Sequence, residues 1–158
     1  MTAVKPASSE FAIAAATPDD VPAIGALLRA ADLPAGDFAD HLAHFLVARQ
    51  EGAVIGAVGF ELHGRDGLLR SLVVAPERRG AGLGDALVRR LAAQARREGV
   101  ERLYLLTTTA EAFFARRGFA KIARAAVPAA IAGSREFQSL CPASAVCMTR
   151  AAAGPPGS

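Results

Sequence analysis

The clearest repeat of apolar positions in this chain lies between residues 83 and 98. Apolar residues recur there every three or four positions, which is the period of a helix with one buried face. The buried face comprises Leu83, Leu87, Val88, Leu91, Ala92 and Ala95. Arginines at 89, 90, 96 and 97 fall on the opposite face. The pattern predicts an amphipathic helix over residues 85–99, with Gly99 as its C-terminal stop.

A run of apolar and β-branched residues precedes that helix. Residues 68–75 are apolar except at two positions, and Pro76, which cannot donate to a sheet ladder, follows them. This run predicts a strand. A glycine-rich segment, residues 80–84, joins the strand to the helix.

Weaker patterns predict the remaining elements. Strands are expected at 11–16, 45–50, 53–63, 102–107, 119–124 and 145–149, and helices at 17–31, 37–44 and 111–117, with a helical portion in 127–140. Glu51-Gly52 has the length and composition of a two-residue hairpin turn. Strands 45–50, 53–63 and 68–75 then form an antiparallel meander. Strand 102–107 must run parallel to the last of these, because a helix connects them.

Length and composition fit a single domain. Of 158 residues, 52% are hydrophobic, enough for one core. We expect a flexible N-terminus at 1–10, one domain at 11–150 and a disordered tail at 151–158. No apolar run of about 18 residues and no signal-peptide pattern is present, so we predict a cytoplasmic protein that does not contact membranes.

Charge and cysteine content exclude some functions. The net charge is +3, but few aromatic residues accompany the arginines, so an anionic cofactor explains the charge better than nucleic acid. Cys141 and Cys147 match no zinc spacing and are interpreted as small apolar residues. His41 and His44 lie three apart on a predicted helix without a visible third ligand, so no metal site is predicted.

The strand, the glycine-rich segment and the helix together predict a phosphate site. Such an arrangement directs unpaired backbone N–H groups and the positive helix end at one place. Arg78 and Arg79 add donors suited to phosphate oxygens. Asp85 stands where a dinucleotide fingerprint needs a small residue, and the loop lacks the Gly-Lys-Ser/Thr of a P-loop.

Arg79, Gly82 and Gly84 match the Arg/Gln-x-x-Gly-x-Gly/Ala loop by which GCN5-related N-acetyltransferases (GNATs) bind acyl-CoA. Pro76 and the long helix agree with this resemblance. It implies an α/β (α+β) fold with a mixed, mostly antiparallel sheet of six to seven strands, a parallel pair that splays apart, and about four helices. It also implies acetyl-CoA as cofactor.

Several segments resemble particular members of that superfamily. Residues 69–74, 104–111 and 141–148 are similar to the acetyltransferases associated with arsenic-resistance operons. The Leu-Leu-Thr-Thr segment at 105–108 and the segment 113–119 are also similar to glutamate N-acetyltransferases of arginine synthesis. Both resemblances imply a small amine substrate that resembles an amino acid.

The resemblance assigns cofactor contacts residue by residue. It places the cofactor along Leu72, Val73, Val74, Arg78, Arg79, Gly80, Ala81, Gly82, Leu83 and Gly84, with Thr108, Thr109, Phe113 and Phe114 around the thiol. The strand backbone near Leu72 to Val74, with Val73 as the first candidate, would donate an N–H to the thioester oxygen. Many relatives carry a tyrosine, the acid for the departing thiolate, where this chain has Phe114. Departure without a side-chain acid is compatible with the acidity of a thiol.

The candidate base and substrate contacts come from polar residues in apolar surroundings. Glu61 is the first candidate base and His63 the second; the alternative for Glu61 is an exposed strand carboxylate. Arg70 is a charge within an apolar strand and must be paired, either with a carboxylate such as Glu61 or with a substrate carboxylate. We expect the substrate, or a triad in which Glu61 orients Arg70, with Ser71 and Arg135 as further substrate contacts.

These expectations combine into a main hypothesis and its alternatives. The main one is an acetyl-CoA-dependent N-acetyltransferase acting on a small amino acid or an amino-acid-like toxin, with a link to arsenic resistance implied only by resemblance. The alternatives are a non-catalytic acyl-CoA-binding regulatory module, a glutamate N-acetyltransferase and, less favoured, protein N-terminal acetylation. The expected partner is a small-molecule amine, without nucleic acid or membrane; a homodimer is left open.

Overall fold

A computed structural model describes residues 11–134, 137–138 and 144–153 of the protein. Its strands are β1 (Ala12–Ala15), β2 (Phe45–Gln50), β3 (Ala53–His63), β4 (Asp66–Val74), β5 (Arg102–Thr107), β6 (Ala120–Lys121) and β7 (Val146–Ala151). Its α-helices are α1 (Val21–Ala30), α2 (Leu83–Arg97), α3 (Glu111–Ala115) and α4 (Ala129–Ala132). Short 3₁₀ helices cover Pro18–Asp20, Phe38–His44, Pro76–Arg78 and Arg124–Ala126. The predicted flexible segment 1–10 lies outside the described residues.

The strands form one mixed sheet in the order β1-β2-β3-β4-β5-β7-β6. Every neighbouring pair is antiparallel except β4 and β5, which are parallel as the connecting helix requires. The parallel pairing covers only three residue pairs, from Asp66↔Arg102 to Leu68↔Tyr104. Beyond Leu68, the edge of β4 that faces β5 is therefore open. The predicted fold class is confirmed.

Helices cover both faces of the sheet. The apolar face of α2 packs on one face, against Leu46, Ile55, Val58, Phe60, Leu69, Leu103 and Leu105. The opposite face carries α1 and the 3₁₀ helix Phe38–His44, where Ile24, Leu28 and Phe38 pack against Phe45, Val47, Ala57 and Val73. All six predicted inward positions of α2 are buried, and Gly99 has φ +94°, as its stop role requires.

A β-bulge interrupts β4 where it pairs with β3. Ala57 lies opposite Val73 but Gly59 lies opposite Arg70, so β4 contains one extra residue there. Ser71, inside the bulge, has φ +62°. The apolar pattern of residues 68–75 predicted an uninterrupted strand and gave no sign of this bulge.

Several predicted boundaries differ from the structure. The helical piece predicted at 37–44 is the 3₁₀ helix Phe38–His44, and the strand predicted at 119–124 is only Ala120–Lys121. The tail predicted from residue 151 begins too early, because Ala151 belongs to β7 and the buried Ala152 donates its N–H to Glu101 O at 2.9 Å. Residues 154–158 lie outside the described residues. Within the described ranges, no helix has both the length and the apolar character needed to cross a membrane.

Candidate active site

A cavity of about 770 Å³ opens where β4 and β5 diverge. The segments that line it are 31–34 after α1, 69–74 of β4, 78–80 and 83–84 around the start of α2, 105–110 at the end of β5, and 112–114 with Arg116 around α3, together with Ala145. The cavity therefore extends from the glycine-rich loop to the loop that follows α1.

The glycine-rich loop has the geometry of an anion site. Gly80 and Gly82 have φ of +86° and +83°, which favours glycine, and Gly82 is the N-cap of α2. Arg78 lines the cavity beside this loop, and its Nε is buried without a hydrogen-bond partner among the described residues. Backbone donors at a helix start and an unsatisfied guanidinium nitrogen fit a phosphate group.

Gly84 is required for a different reason from Gly82. Its φ is not positive, and a Cβ at this position would lie 3.2 Å from Phe113 Cζ. Gly84 therefore differs from Gly80 and Gly82, whose backbones are left-handed. Its small size lets the start of α2 approach α3.

Arg117 links α2 to the aromatic side of the cavity. It stacks on Phe113, with Cζ 3.7 Å from the ring centroid, and donates to Phe113 O at 2.8 Å. Its Nε lies 3.0 Å from Asp85 Oδ1 in α2. Phe114 is buried between Phe113 and Phe119, with edge-to-face ring contacts at 5.1 and 5.4 Å. Arg117 was not identified from sequence, because its partner Asp85 precedes it by 32 residues.

Arg70 is fully buried and paired with protein carboxylates. Its Nη1 lies 2.8 Å from Glu61 Oε2 and its Nη2 lies 2.7 Å from Asp37 Oδ1, and its Nε donates to Ser71 Oγ at 3.1 Å. The sequence left two partners open for Arg70, a protein carboxylate or a substrate carboxylate. In the structure the partners are the protein carboxylates. A substrate carboxylate would have to compete with Glu61 and Asp37 for this guanidinium. Asp37 was missed, since nothing local marks it as a partner of β4.

Glu61 is buried and lies away from the cavity wall. Besides Arg70, it contacts His63 Nε2 at 3.0 Å and His41 Nε2 at 3.7 Å. The alternative of an exposed strand carboxylate is wrong. Asp37, His41 and Glu61 are close enough together to suit a metal ion, but the Arg70 guanidinium already supplies a cation to both carboxylates.

The amide that directly follows β4 shows which of the preceding amides face the cavity. Ala75 N–H donates to Ile55 O on β3 at 2.8 Å. Amide directions alternate along a strand, so Val73 N–H also faces β3, whereas Val74 N–H faces the open edge toward the cavity. Within the segment 72–74 that was expected to supply the donor, Val74 N–H is therefore the amide that faces the cavity, and Val73 N–H is not.

Most of the predicted site residues line the cavity. Cavity-lining positions are Arg70, Ser71, Leu72, Val73, Val74, Arg78, Arg79, Gly80, Leu83, Gly84, Thr108, Thr109, Phe113 and Phe114. Ala81 and Gly82 belong to the same loop but do not line the cavity, and Arg135 lies outside the described residues. Asp32 and Thr107 line the cavity and were not identified from sequence.

Comparison with known proteins agrees with this arrangement. The family model described as "Acetyltransferase (GNAT) domain" matches residues 41–121, about half of the chain. The chain belongs to the GNAT acetyltransferase family. The matched region contains β2 to β5, the glycine-rich loop and α3, which together form most of the cavity. GNAT acetyltransferases use acetyl-CoA as the usual acetyl donor.

Curated relatives resemble the chain over part of their length. An amino-acid acetyltransferase of Ralstonia nicotianae is 35% identical over 80 residues, which are 49% of this chain and 18% of that protein. An amino-acid acetyltransferase of Pseudomonas fluorescens is 35% identical over 96 residues, or 60% of this chain and 22% of that protein. The chain thus spans about a fifth of the length of these relatives.

Solved structures share the fold. N-acetylglutamate synthase of Neisseria gonorrhoeae, in complex with coenzyme A and N-acetyl-glutamate, has a TM-score of 0.80 at 22% identity over 90% of this chain and 35% of that one. Rv2747 of Mycobacterium tuberculosis, in complex with CoA and NLQ, has a TM-score of 0.76 at 27% identity over 89% of this chain and 98% of that one.

Proposed function

We propose that this GNAT protein transfers an acetyl group from acetyl-CoA to the amino group of a small amino acid or an amino-acid-like compound. The observation that carries the proposal is the cavity between the diverging strands. One end of it is the glycine-rich loop, suited to phosphate, and the other is the loop after α1. Acetyl-CoA and the amine substrate, entering the cavity from opposite ends, would meet beside β4.

The residues of the cavity fit the cofactor. Backbone N–H groups of the loop 80–84, with Arg78 and Arg79, would hold its pyrophosphate. Val74 N–H, which faces the open edge of β4, would donate to the thioester oxygen as negative charge develops there. Bound acetyl-CoA supplies an acetyl group activated as a thioester.

The other end of the cavity is suited to a small amine. Asp32 is the one carboxylate among the described cavity-lining residues, and it attracts an ammonium group; Leu33 and Pro34 add apolar surface next to it. An α-amino group with a pKa near 8 is already partly neutral at pH 7, so a water molecule suffices to take its proton. Neither Glu61 nor His63, which do not line the cavity, is then needed as a direct base.

Two observations support an amino acid as substrate. The curated relatives are amino-acid acetyltransferases, and the N. gonorrhoeae structural neighbour is in complex with N-acetyl-glutamate. Glutamate is accordingly one specific candidate. An amino-acid-like toxin of the arsenic-resistance type is another, supported only by the resemblance of segments 69–74, 104–111 and 141–148.

The test is a substrate panel with purified protein and acetyl-CoA. The panel includes the protein amino acids, glutamate among them, amino-acid antibiotics, organic arsenicals, simple amines and a peptide with a free N-terminus. We expect thiol release and a mass gain of one acetyl group for amino acids or their analogues. Acetylation of the peptide alone would contradict the proposal. CoA binding by calorimetry without turnover of any amine would instead favour the non-catalytic module.

A further inference from the structure

Ser71 combines an unusual backbone conformation with a constrained side chain. Its φ of +62° is uncommon for a residue other than glycine, and such conformations are concentrated at functional sites. Ser71 lies in the β4 bulge and lines the cavity. Its Oγ accepts a hydrogen bond from Arg70 Nε at 3.1 Å.

The guanidinium that holds Ser71 is itself fixed. Two buried carboxylates, Glu61 and Asp37, bind its Nη1 and Nη2, and the Arg70 side chain has no exposed surface. The direction of Nε–H toward Ser71 is therefore fixed by residues outside the cavity wall. In this chain the two ion pairs hold the guanidinium in one orientation.

A hydroxyl oxygen that accepts from Arg70 keeps its own proton for another partner. The described residues offer no acceptor for the Ser71 hydroxyl proton, while the cavity lies next to it. Accepting from a charged donor also polarises the O–H group and makes it a stronger donor. The Ser71 hydroxyl can therefore donate a hydrogen bond to a ligand in the cavity.

We propose that Ser71 O–H donates a hydrogen bond to the cofactor sulfur as negative charge develops on it, and that Arg70 is the positioning residue that directs this hydroxyl. The inference rests on the proposed function. In the reaction, the substrate amine forms the new C–N bond, the electron pair of the broken C–S bond passes to sulfur, and the amine proton passes to water. Ser71 keeps its proton throughout.

The cavity wall offers few other donors for this role. The position expected to carry a phenol is Phe114, and Tyr104 packs with Leu68 and Ile131 without lining the cavity. Thr107, Thr108 and Thr109 are the competing hydroxyls, and Thr107 is the one whose position a hydrogen bond fixes. It lines the cavity from β5, and its Oγ1 accepts from Ala110 N–H at 2.9 Å. Thr107 lacks the charged partner that Ser71 has, which makes Thr107→Val a matched control.

The experiment measures the pKa of the thiol of bound CoA. Wild type, Ser71→Gly, Ser71→Ala and Thr107→Val are saturated with CoA, and the ultraviolet absorbance of the thiolate is followed against pH. Glycine suits the positive φ, so Ser71→Gly removes the hydroxyl without adding backbone strain. We expect both Ser71 variants to raise this pKa by about one unit, which is a tenfold rise in the proton affinity of the bound thiolate, and to lower kcat by about tenfold. Thr107→Val should leave the thiol pKa unchanged.

The outcomes separate this inference from the proposed function. CoA that binds Ser71→Gly normally, with the same thiol pKa as in wild type, overturns the role of Ser71. A shift with Thr107→Val instead assigns the donor to Thr107 and also overturns it. A shift with Ser71→Ala alone would indicate backbone strain rather than the hydroxyl. Wild-type protein that fails to bind CoA would refute the proposed function itself.

Discussion

Arg70 Nη2 lies 2.7 Å from Asp37 Oδ1, so a buried ion pair joins the middle of β4 to the residue that precedes the 3₁₀ helix Phe38–His44. Both side chains are nearly inaccessible to solvent. The loop after α1, which lines the cavity at residues 31–34, is thereby anchored to the strand that lines its other side. Removing one partner of such a pair leaves an uncompensated charge in the interior.

We predict that Asp37→Ala lowers the free energy of unfolding by about 3 kcal/mol, a typical effect of removing one partner of a buried ion pair. Asp40→Ala is the control, because Asp40 is an exposed carboxylate of the adjoining 3₁₀ helix. Its effect should stay within about 0.5 kcal/mol. Urea unfolding of the two variants at neutral pH measures the difference. Equal and small effects would mean that the pair contributes nothing to the fold.

Arg70→Lys tests whether Arg70 binds substrate. Lysine keeps the charge but cannot donate to Glu61, Asp37 and Ser71 together, since it lacks the planar fork. We expect a loss of about 2 kcal/mol in stability, the size of one hydrogen bond to a charged group, and a fall in kcat shared by every amine. A rise in KM confined to amines that carry a carboxylate, with stability unchanged, would show instead that Arg70 binds the substrate.

Elements set by local patterns could be predicted from sequence. The strands β2, β3 and β5 have the predicted bounds, and the buried positions of α2 are those of its apolar repeat. The glycine-rich loop was identified because its function depends on backbone conformation and on adjacent residues. In each case the determining interactions lie within a few positions of one another along the chain.

Features that depend on distant residues were missed. The pairing of Arg70 with Asp37 spans 33 positions, and the close approach of Phe113 to Gly84 brings two helices together. The bulge at Ser71 is a shift in the pairing register of β3 and β4. The apolar pattern of one strand does not indicate such a shift. The need for glycine at position 59 also depends on a distant residue, because the ring of Phe45 on β2 leaves no room there for a Cβ.

Asp20 is expected to make stability depend on pH. Burial alone would raise its pKa, but hydrogen bonds from the Thr17 backbone N–H and from Arg49, 2.8 and 2.7 Å away, outweigh burial and hold the pKa below its ordinary value of 3.8. The ionised form is thus favoured in the folded state. Its contribution is complete above pH 3.8 and is lost as the pH falls through the lowered pKa.

We therefore predict that Asp20→Asn lowers the unfolding free energy by about 2 kcal/mol at pH 7, the size of a hydrogen bond to a charged group. The difference from wild type should shrink as the pH falls below 3.8. Asp19→Asn, at the neighbouring exposed position, is the control. Denaturant unfolding at a series of pH values provides the comparison. A difference between wild type and Asp20→Asn that stayed constant in acid would exclude the ionised carboxylate as its source.

The last prediction separates backbone strain from phosphate binding in the glycine-rich loop. Gly82 and Gly64 both have positive φ, +83° and +67°, and open space where a Cβ would lie. Gly64 belongs to the hairpin between β3 and β4, whereas Gly82 belongs to the glycine-rich loop and is the N-cap of α2. Valine at either position should cost about 1–2 kcal/mol in stability, because a β-branched residue resists a left-handed backbone.

Only Gly82→Val should weaken CoA binding. Displacing the loop would remove at least two backbone N–H donors from the phosphates, and at about 1 kcal/mol each this corresponds to about thirtyfold in Kd. Calorimetric titration of CoA into both variants, at a temperature where both are folded, measures the contrast. Equal affinities of Gly82→Val and Gly64→Val for CoA would place the phosphate site outside this loop, and with it the anchor that orients the cofactor along β4.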